Sequence, residues 1–166
     1  MSMKNKRLVN KLLSVVKGLV MSSYLVSLYE QAPEENKLAS VLIAREVLVR
    51  VSEIIVALQQ VYEESKDVQV KQAIGELRVA RKLLSEIAYG DLTDPRVLRA
   101  HSFREVNYPL LLDDAHHHIH NSIIELCKSK QLDERLKEIL KVLEKARRDT
   151  SPMELYKRAY QLLKKS

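Results

Sequence analysis

The chain has 166 residues, of which 46% are hydrophobic and 30% are charged, and its formal net charge is +6. This composition is typical of a folded globular domain and excludes an intrinsically disordered chain. Three glycines and four prolines leave few turns, and a single cysteine excludes an intramolecular disulfide and a cysteine-based zinc site.

The apolar spacing predicts a long N-terminal helical hairpin over residues 4–65. Its first arm, residues 4–31, begins basic and turns apolar like a membrane anchor. Lys17, Gly18 and several serines interrupt the apolar run, so we expect no stable membrane insertion. The second arm, residues 33–65, carries two apolar stripes, which predict a helix at the centre of the fold.

A third helix is predicted over residues 68–89, where apolar residues recur at helical spacing. Residues 90–109 have no clean period and predict an irregular segment with a short helix at about 94–103. Further helices are predicted within residues 110–166. Because no segment alternates like a strand, the sequence predicts one all-α domain, a bundle of six to seven helices built on the N-terminal hairpin.

The charge is unevenly distributed along the chain. Residues 1–31 carry a net charge of +4, residues 32–127 carry −4, and residues 128–166 carry +6. Basic ends favour contact with nucleic-acid phosphate or with an acidic protein surface. They could also neutralise the acidic middle of another copy, so we expect a homo-oligomer.

The basic residues near both termini recur at helical spacing. Along a helix, a spacing of four residues places one charge every ~6 Å, which suits contact with a nucleic-acid backbone without sequence reading. An ordinary solvated helix face is the alternative interpretation. Tyr156 and Tyr160 lie among the terminal lysines, but we expect both to pack inward, so base stacking is not predicted. The candidate nucleic-acid-binding residues are Lys4, Arg7, Lys11, Lys137, Lys141, Lys145, Arg148, Lys157, Arg158, Lys164 and Lys165.

Four of the five histidines lie in the segment LLLDDAHHHIHNSIIELC, residues 110–127. At 100° per residue, His116 falls just inside the border of the apolar stripe, whereas His118 faces water. The sequence favours a solvated helix edge with exposed ring nitrogens. A metal site is an alternative, since imidazole and carboxylate suit zinc, nickel or copper, and a pH-sensitive interface is a third. The candidate metal ligands are Asp113, His116, His117 and His120.

The segment RVLRAHSF places four residues between Arg96 and His101, and Phe103 follows. This resembles the Arg-x4-His-x-Tyr element of the HEPN family, small all-α proteins that include ribonucleases. The resemblance implies that Arg96 and His101 are a catalytic pair across a dimer, the histidine moving a ribose proton and the arginine holding the phosphate. Two positions depart from the element: Val97 replaces the usual polar residue, and Pro95 directly precedes the arginine.

The sequence therefore predicts a non-enzymatic, all-α binding or assembly protein that contacts nucleic-acid backbone through its basic ends and needs no cofactor. The alternatives are a protein-only oligomeric scaffold, a HEPN-like ribonuclease and a metal-binding bundle. The lone Cys127 is typical of a reducing compartment, so we expect a location in the cytoplasm or in a nucleoprotein particle. The richness in lysine and glutamate is typical of a thermophile.

Overall fold

The structure is a computed structural model that describes residues 3–30, 37–89, 108–148 and 152–165. These residues form six helices and no strand, so the predicted all-α bundle is confirmed. The third helix has the predicted bounds, and the predicted short helix between it and the fourth lies outside the described residues. The helices are α1 (Met3–Glu30), α2 (Lys37–Ser65), α3 (Val68–Tyr89), α4 (Tyr108–Cys127), α5 (Glu134–Arg148) and α6 (Pro152–Lys164).

Successive helices pack side by side, and α4 returns to contact α1, which closes a four-helix bundle. Helices α5 and α6 pack against each other and cover α1, and α5 also contacts α4. Helices that follow each other in sequence run antiparallel. Arg45 near the start of α2 donates from Nε to the Ala88 carbonyl at the end of α3, at 3.3 Å. The bundle therefore has alternating helix directions, the arrangement that short connections favour.

Asp67 joins two connections at one end of the bundle. Its Oδ1 accepts a 2.8 Å hydrogen bond from the Gln69 amide and so caps α3. Its Oδ2 accepts a 2.9 Å hydrogen bond from the Ser129 hydroxyl, just after α4. Lys66, immediately before it, adopts a φ of 55° and ends α2, its amide donating to the Tyr62 carbonyl at 2.7 Å. One carboxylate thus holds the α2–α3 turn against the α4–α5 connection.

The core is one continuous apolar cluster to which all six helices contribute. The prediction that α2 lies at the centre is wrong, because Leu42, Val49 and Val56 on its outer face are each more than half exposed. Helices α1 and α4 instead contact four other helices each. The apolar face of α1 is buried, at Leu12, Val15, Val16, Leu19 and Val26.

The part of α1 from Lys6 to Glu30, 25 residues, is long and apolar enough to cross a membrane. Of its most apolar window, 56% is buried inside the bundle. A core helix packed against its neighbours meets the same criterion of length and composition.

Gly18 on α1 packs closely against a side chain of α2. A Cβ atom at this position would lie 2.8 Å from both Cδ1 and Cγ1 of Ile54, which is almost fully buried. Gly75 in α3 offers the opposite environment, since a Cβ there would meet nothing within 4 Å. The packing of Ile54 therefore requires a glycine at position 18, whereas position 75 has room for a larger residue.

We expect Gly75→Ala to raise the free energy of unfolding by about 0.5–1 kcal/mol, because alanine is the better helix former. Gly18→Ala gains the same helix propensity but overpacks the α1–α2 contact, so it should be the less stable variant by about 1–3 kcal/mol. Urea unfolding followed by circular dichroism measures both. Equal stability of the two variants would contradict the close packing at Gly18.

Candidate functional site

Three lysines form a ridge on α5. Lys141 and Lys145 are exposed and Lys137 is half-buried, while the opposite side of the helix is buried in the core. Asp133 caps the helix, its Oδ1 accepting a 2.9 Å hydrogen bond from the Leu136 amide. Within the described part of the chain, none of the three lysines forms an ion pair with a carboxylate. We call Lys137, Lys141 and Lys145 the α5 ridge.

The α5 ridge borders the C-terminal end of α4. Burial raises the pKa of the Cys127 thiol to about 11, the charge of Glu144 adds to the rise, and the charges of Lys141 and Lys137 oppose it. Two ridge lysines are therefore near enough to influence this thiol electrostatically. A buried thiol with a raised pKa is a poor nucleophile, so Cys127 has the properties of a packing residue.

Helix α6 carries a second set of cations around one aromatic ring. Lys157, Tyr160 and Lys164 lie on the same side at spacings of three and four residues and are all exposed. The Nζ atom of Lys164 lies 4.9 Å from the centroid of the Tyr160 ring. The Nζ atom of Lys157 lies 3.6 Å from Glu154 Oε1, and both of these side chains are largely exposed. We call Lys157, Tyr160 and Lys164 the α6 row.

A groove of about 380 Å³ separates the α6 row from α1. Tyr156 lies at its base, 2% exposed, with its ring edge-to-face against Tyr24 at 6.3 Å between centroids. Tyr160 lies at its mouth and is 47% exposed. The prediction that both α6 tyrosines pack inward is confirmed for Tyr156 and wrong for Tyr160, because Tyr160 stands at the flank of the helix, where α1 does not cover it. The groove is lined by Val20, Met21, Tyr24, Tyr156, Lys157 and Tyr160.

The remaining predicted basic residues have varied surroundings. Arg158 and Lys165 are exposed on the other flank of α6, Arg7 is exposed on α1, and Lys11 is half-buried. The side chains of Lys4 and Arg148 lie outside the described residues. The predicted cations thus occupy two main surfaces: the α5 ridge, which lies beside α4, and the α6 row, which lies beside α1.

Two of the four histidines of α4 bond to glutamates of the neighbouring helices. His116 is 2% exposed, and its Nδ1 lies 2.9 Å from Glu30 Oε1 at the end of α1. The Nδ1 atom of His118 lies 2.7 Å from Glu76 Oε2 on α3. Because an ionised carboxylate can only accept, each Nδ1–H is the donor. The predicted solvated edge is wrong for His116, and His118 does not face open water, because α1 and α3 flank α4 on both sides.

The candidate metal ligands have different surroundings in the structure. Asp113 Oδ1 accepts a 2.7 Å hydrogen bond from Arg147 Nη2, His117 is exposed, and His120 is 8% exposed. Among the residues that the structure describes, no group of three or more His, Cys, Asp or Glu side chains could hold a metal ion.

Polar side chains from four helices meet at one end of the bundle. Glu30 ends α1, Asp113 and His116 lie in the first half of α4, Arg147 is in the last turn of α5, and Tyr156 is in the first turns of α6. Burial alone would raise the pKa of Glu30, but the hydrogen bond and charge of His116, with the charge of Arg147, hold it below its ordinary value. Burial raises the pKa of Tyr156 to about 12, the Ser27 hydrogen bond opposes the rise, and the charge of Glu30 adds to it. We call this set the bundle-end network.

The predicted catalytic pair, Arg96 and His101, lies outside the described residues. A scan against protein-family models and searches of curated proteins and of solved structures gave no match.

We expect Glu30→Gln to lower the free energy of unfolding at pH 7 by about 1–3 kcal/mol, because it weakens a charge-assisted hydrogen bond at a nearly buried ring. The folded-state pKa of Glu30 lies below its ordinary value of 4.5. Its charge therefore stabilises the fold above pH 4.5, and that contribution is lost as the pH falls through the lower folded-state value. Wild type should lose more stability than Glu30→Gln on acidification, measured by urea unfolding at several pH values.

Glu154→Gln is the control, because this exposed carboxylate pairs with Lys157 on the surface. It should change the free energy of unfolding by less than about 0.5 kcal/mol at any of these pH values. If Glu30→Gln behaved in the same way, the contact of Glu30 with His116 would contribute nothing to stability.

Proposed function

We propose that this chain is a non-enzymatic helical protein that binds the phosphate backbone of nucleic acid through the α5 ridge and through Lys157 and Lys164 of the α6 row. The observation that carries the proposal is the α5 ridge itself. Its three lysines share one flank of a rigid helix, and they are unpaired with carboxylates in the described part of the chain. Cations in this state can exchange their counterions for phosphates.

The charge distribution supports the same surface. Residues 128–166, which include α5 and α6, carry a net charge of +6, whereas residues 32–127 carry −4. An approaching polyanion is therefore attracted to the C-terminal helices and repelled from the acidic middle of the chain.

Lysine side chains on a regular helix suit contact with the phosphate backbone of a nucleic acid rather than recognition of its bases. An ammonium group is a compact charge on a flexible stem and does not present the planar pair of donors that recognises guanine. The lysines of the ridge recur every ~6 Å, so several can contact one strand of a duplex along its length. We therefore expect binding that depends on salt and is nearly independent of sequence.

Fluorescence polarisation with a labelled DNA or RNA duplex tests the proposal. For wild type, log Kd should rise linearly with log salt, by about 0.9 for each phosphate contact. The triple variant Lys137→Ala, Lys141→Ala, Lys145→Ala should bind more weakly and reduce that slope by about three. Absence of binding by wild type at low salt would overturn the proposal.

The control makes the same change of charge elsewhere. Lys71, Arg78 and Lys82 are exposed on α3, where the chain is acidic overall. Their triple alanine variant should keep the wild-type slope. An equal loss of binding in the two triple variants would contradict the assignment of the contact to α5.

A further inference from the structure

The groove between α1 and α6 combines an exposed aromatic ring, that of Tyr160, with cations. Contact with the phosphate backbone of a nucleic acid does not use this ring. Tyr160 is 47% exposed at the mouth of the groove. Lys157 lines the same groove, and the Lys164 ammonium stands 4.9 Å from the Tyr160 ring. An exposed aromatic ring between positive charges is the arrangement by which proteins hold an unpaired base and its phosphates.

The antiparallel packing of α1 and α6 adds a third lysine. Tyr156 contacts the ring of Tyr24, whereas Tyr160, one turn later on α6, lines the groove with Val20 and Met21, one turn earlier on α1. Continuing by one more turn in each direction brings Lys164 and the exposed Lys17 to the same level. The Tyr160 ring therefore has cations before it and after it along the groove.

The groove is large enough for a base, and one of its lining residues, Met21, also borders a second depression. Its volume of about 380 Å³ falls in the range of small-ligand pockets, ~300–1,000 Å³. Met21 also lines a second depression of about 180 Å³ on the other side of α1, with Lys17 and Arg50. The Nε atom of Arg50 is buried and has no hydrogen-bond partner among the described residues. Glu53 lines this second depression too.

We propose that single-stranded nucleic acid lies across α1, with one base stacked on Tyr160 in the groove and its neighbouring phosphates on Lys157, Lys164 and Lys17. A base that stacks on the ring displaces the Lys164 ammonium, which is then free to pair with the adjacent phosphate. A duplex cannot use the ring, because its base faces are already stacked on each other. This inference rests on the proposed function and assigns the single-stranded form to the α1–α6 groove.

The test compares a labelled oligothymidine strand with a labelled duplex of equal length, by fluorescence polarisation at fixed salt. Tyr160→Ala should raise the Kd for the single strand by about tenfold or more, because stacking on an aromatic side chain supplies that much binding. The same variant should bind the duplex with wild-type affinity. Tyr160→Phe keeps the ring and should bind the single strand within about twofold of wild type.

Tyr89→Ala is the matched control, since Tyr89 is also nearly half exposed but lies on α3, beside Arg45. It should leave both affinities unchanged, and thermal melting followed by circular dichroism verifies that every variant is folded. Wild-type affinity of Tyr160→Ala for the single strand, or an equal loss for strand and duplex, overturns the stacking and leaves the proposed function standing. If wild type binds neither form at low salt, the proposed function fails, and this inference fails with it.

Discussion

The burial of α1 is the constraint on which the rest of the structure depends. Its apolar face contacts α2, α4, α5 and α6, and the helix approaches α2 so closely at Gly18 that a methyl group would collide with Ile54. Because α2 occupies one flank and α6 the other, only a narrow strip of α1 remains outside. That strip includes Lys17 and Met21, and Met21 lines both the groove and the second depression, so the feature with the chemistry to bind a ligand is a consequence of how the core closes.

The bundle-end network decides where α6 lies. This helix has 13 residues, a length at which an isolated helix is marginal in water, so it depends on packing against α1 and α5. The contacts of Glu30 with His116 and of Asp113 with Arg147 fix the ends of α1, α4 and α5 relative to one another. Tyr156 packs against these helix ends and so fixes the position of α6. The positions of Tyr160 and of the two lysines of the α6 row are set in turn.

Periodicity was sufficient to predict the all-α bundle, the bounds of α3 and the buried stripe of α4, because each depends only on spacing within one helix. It could not predict the partner of His116, since Glu30 lies 86 residues away and the two meet only when α4 returns to α1. The exposure of Tyr160 was missed for the same reason, because it depends on how far the neighbouring helix extends over it. The resemblance at Arg96 and His101 remains a prediction.

Free cations on a folded surface carry an energetic cost that apolar burial offsets. Neighbouring lysines about 6 Å apart repel each other by less than ~1 kcal/mol in water, which the core beneath α5 easily exceeds. Arg147 shows the alternative, since its guanidinium is engaged by Asp113 at 2.7 Å and only 25% of its side chain is exposed. A cation bound in that way has already lost its counterion and gains little from phosphate. The contrast explains why the α5 ridge, and not the paired Arg147, is the surface suited to a polyanion. The exposed ion pair of Lys157 with Glu154 is weak enough to be replaced by a phosphate contact.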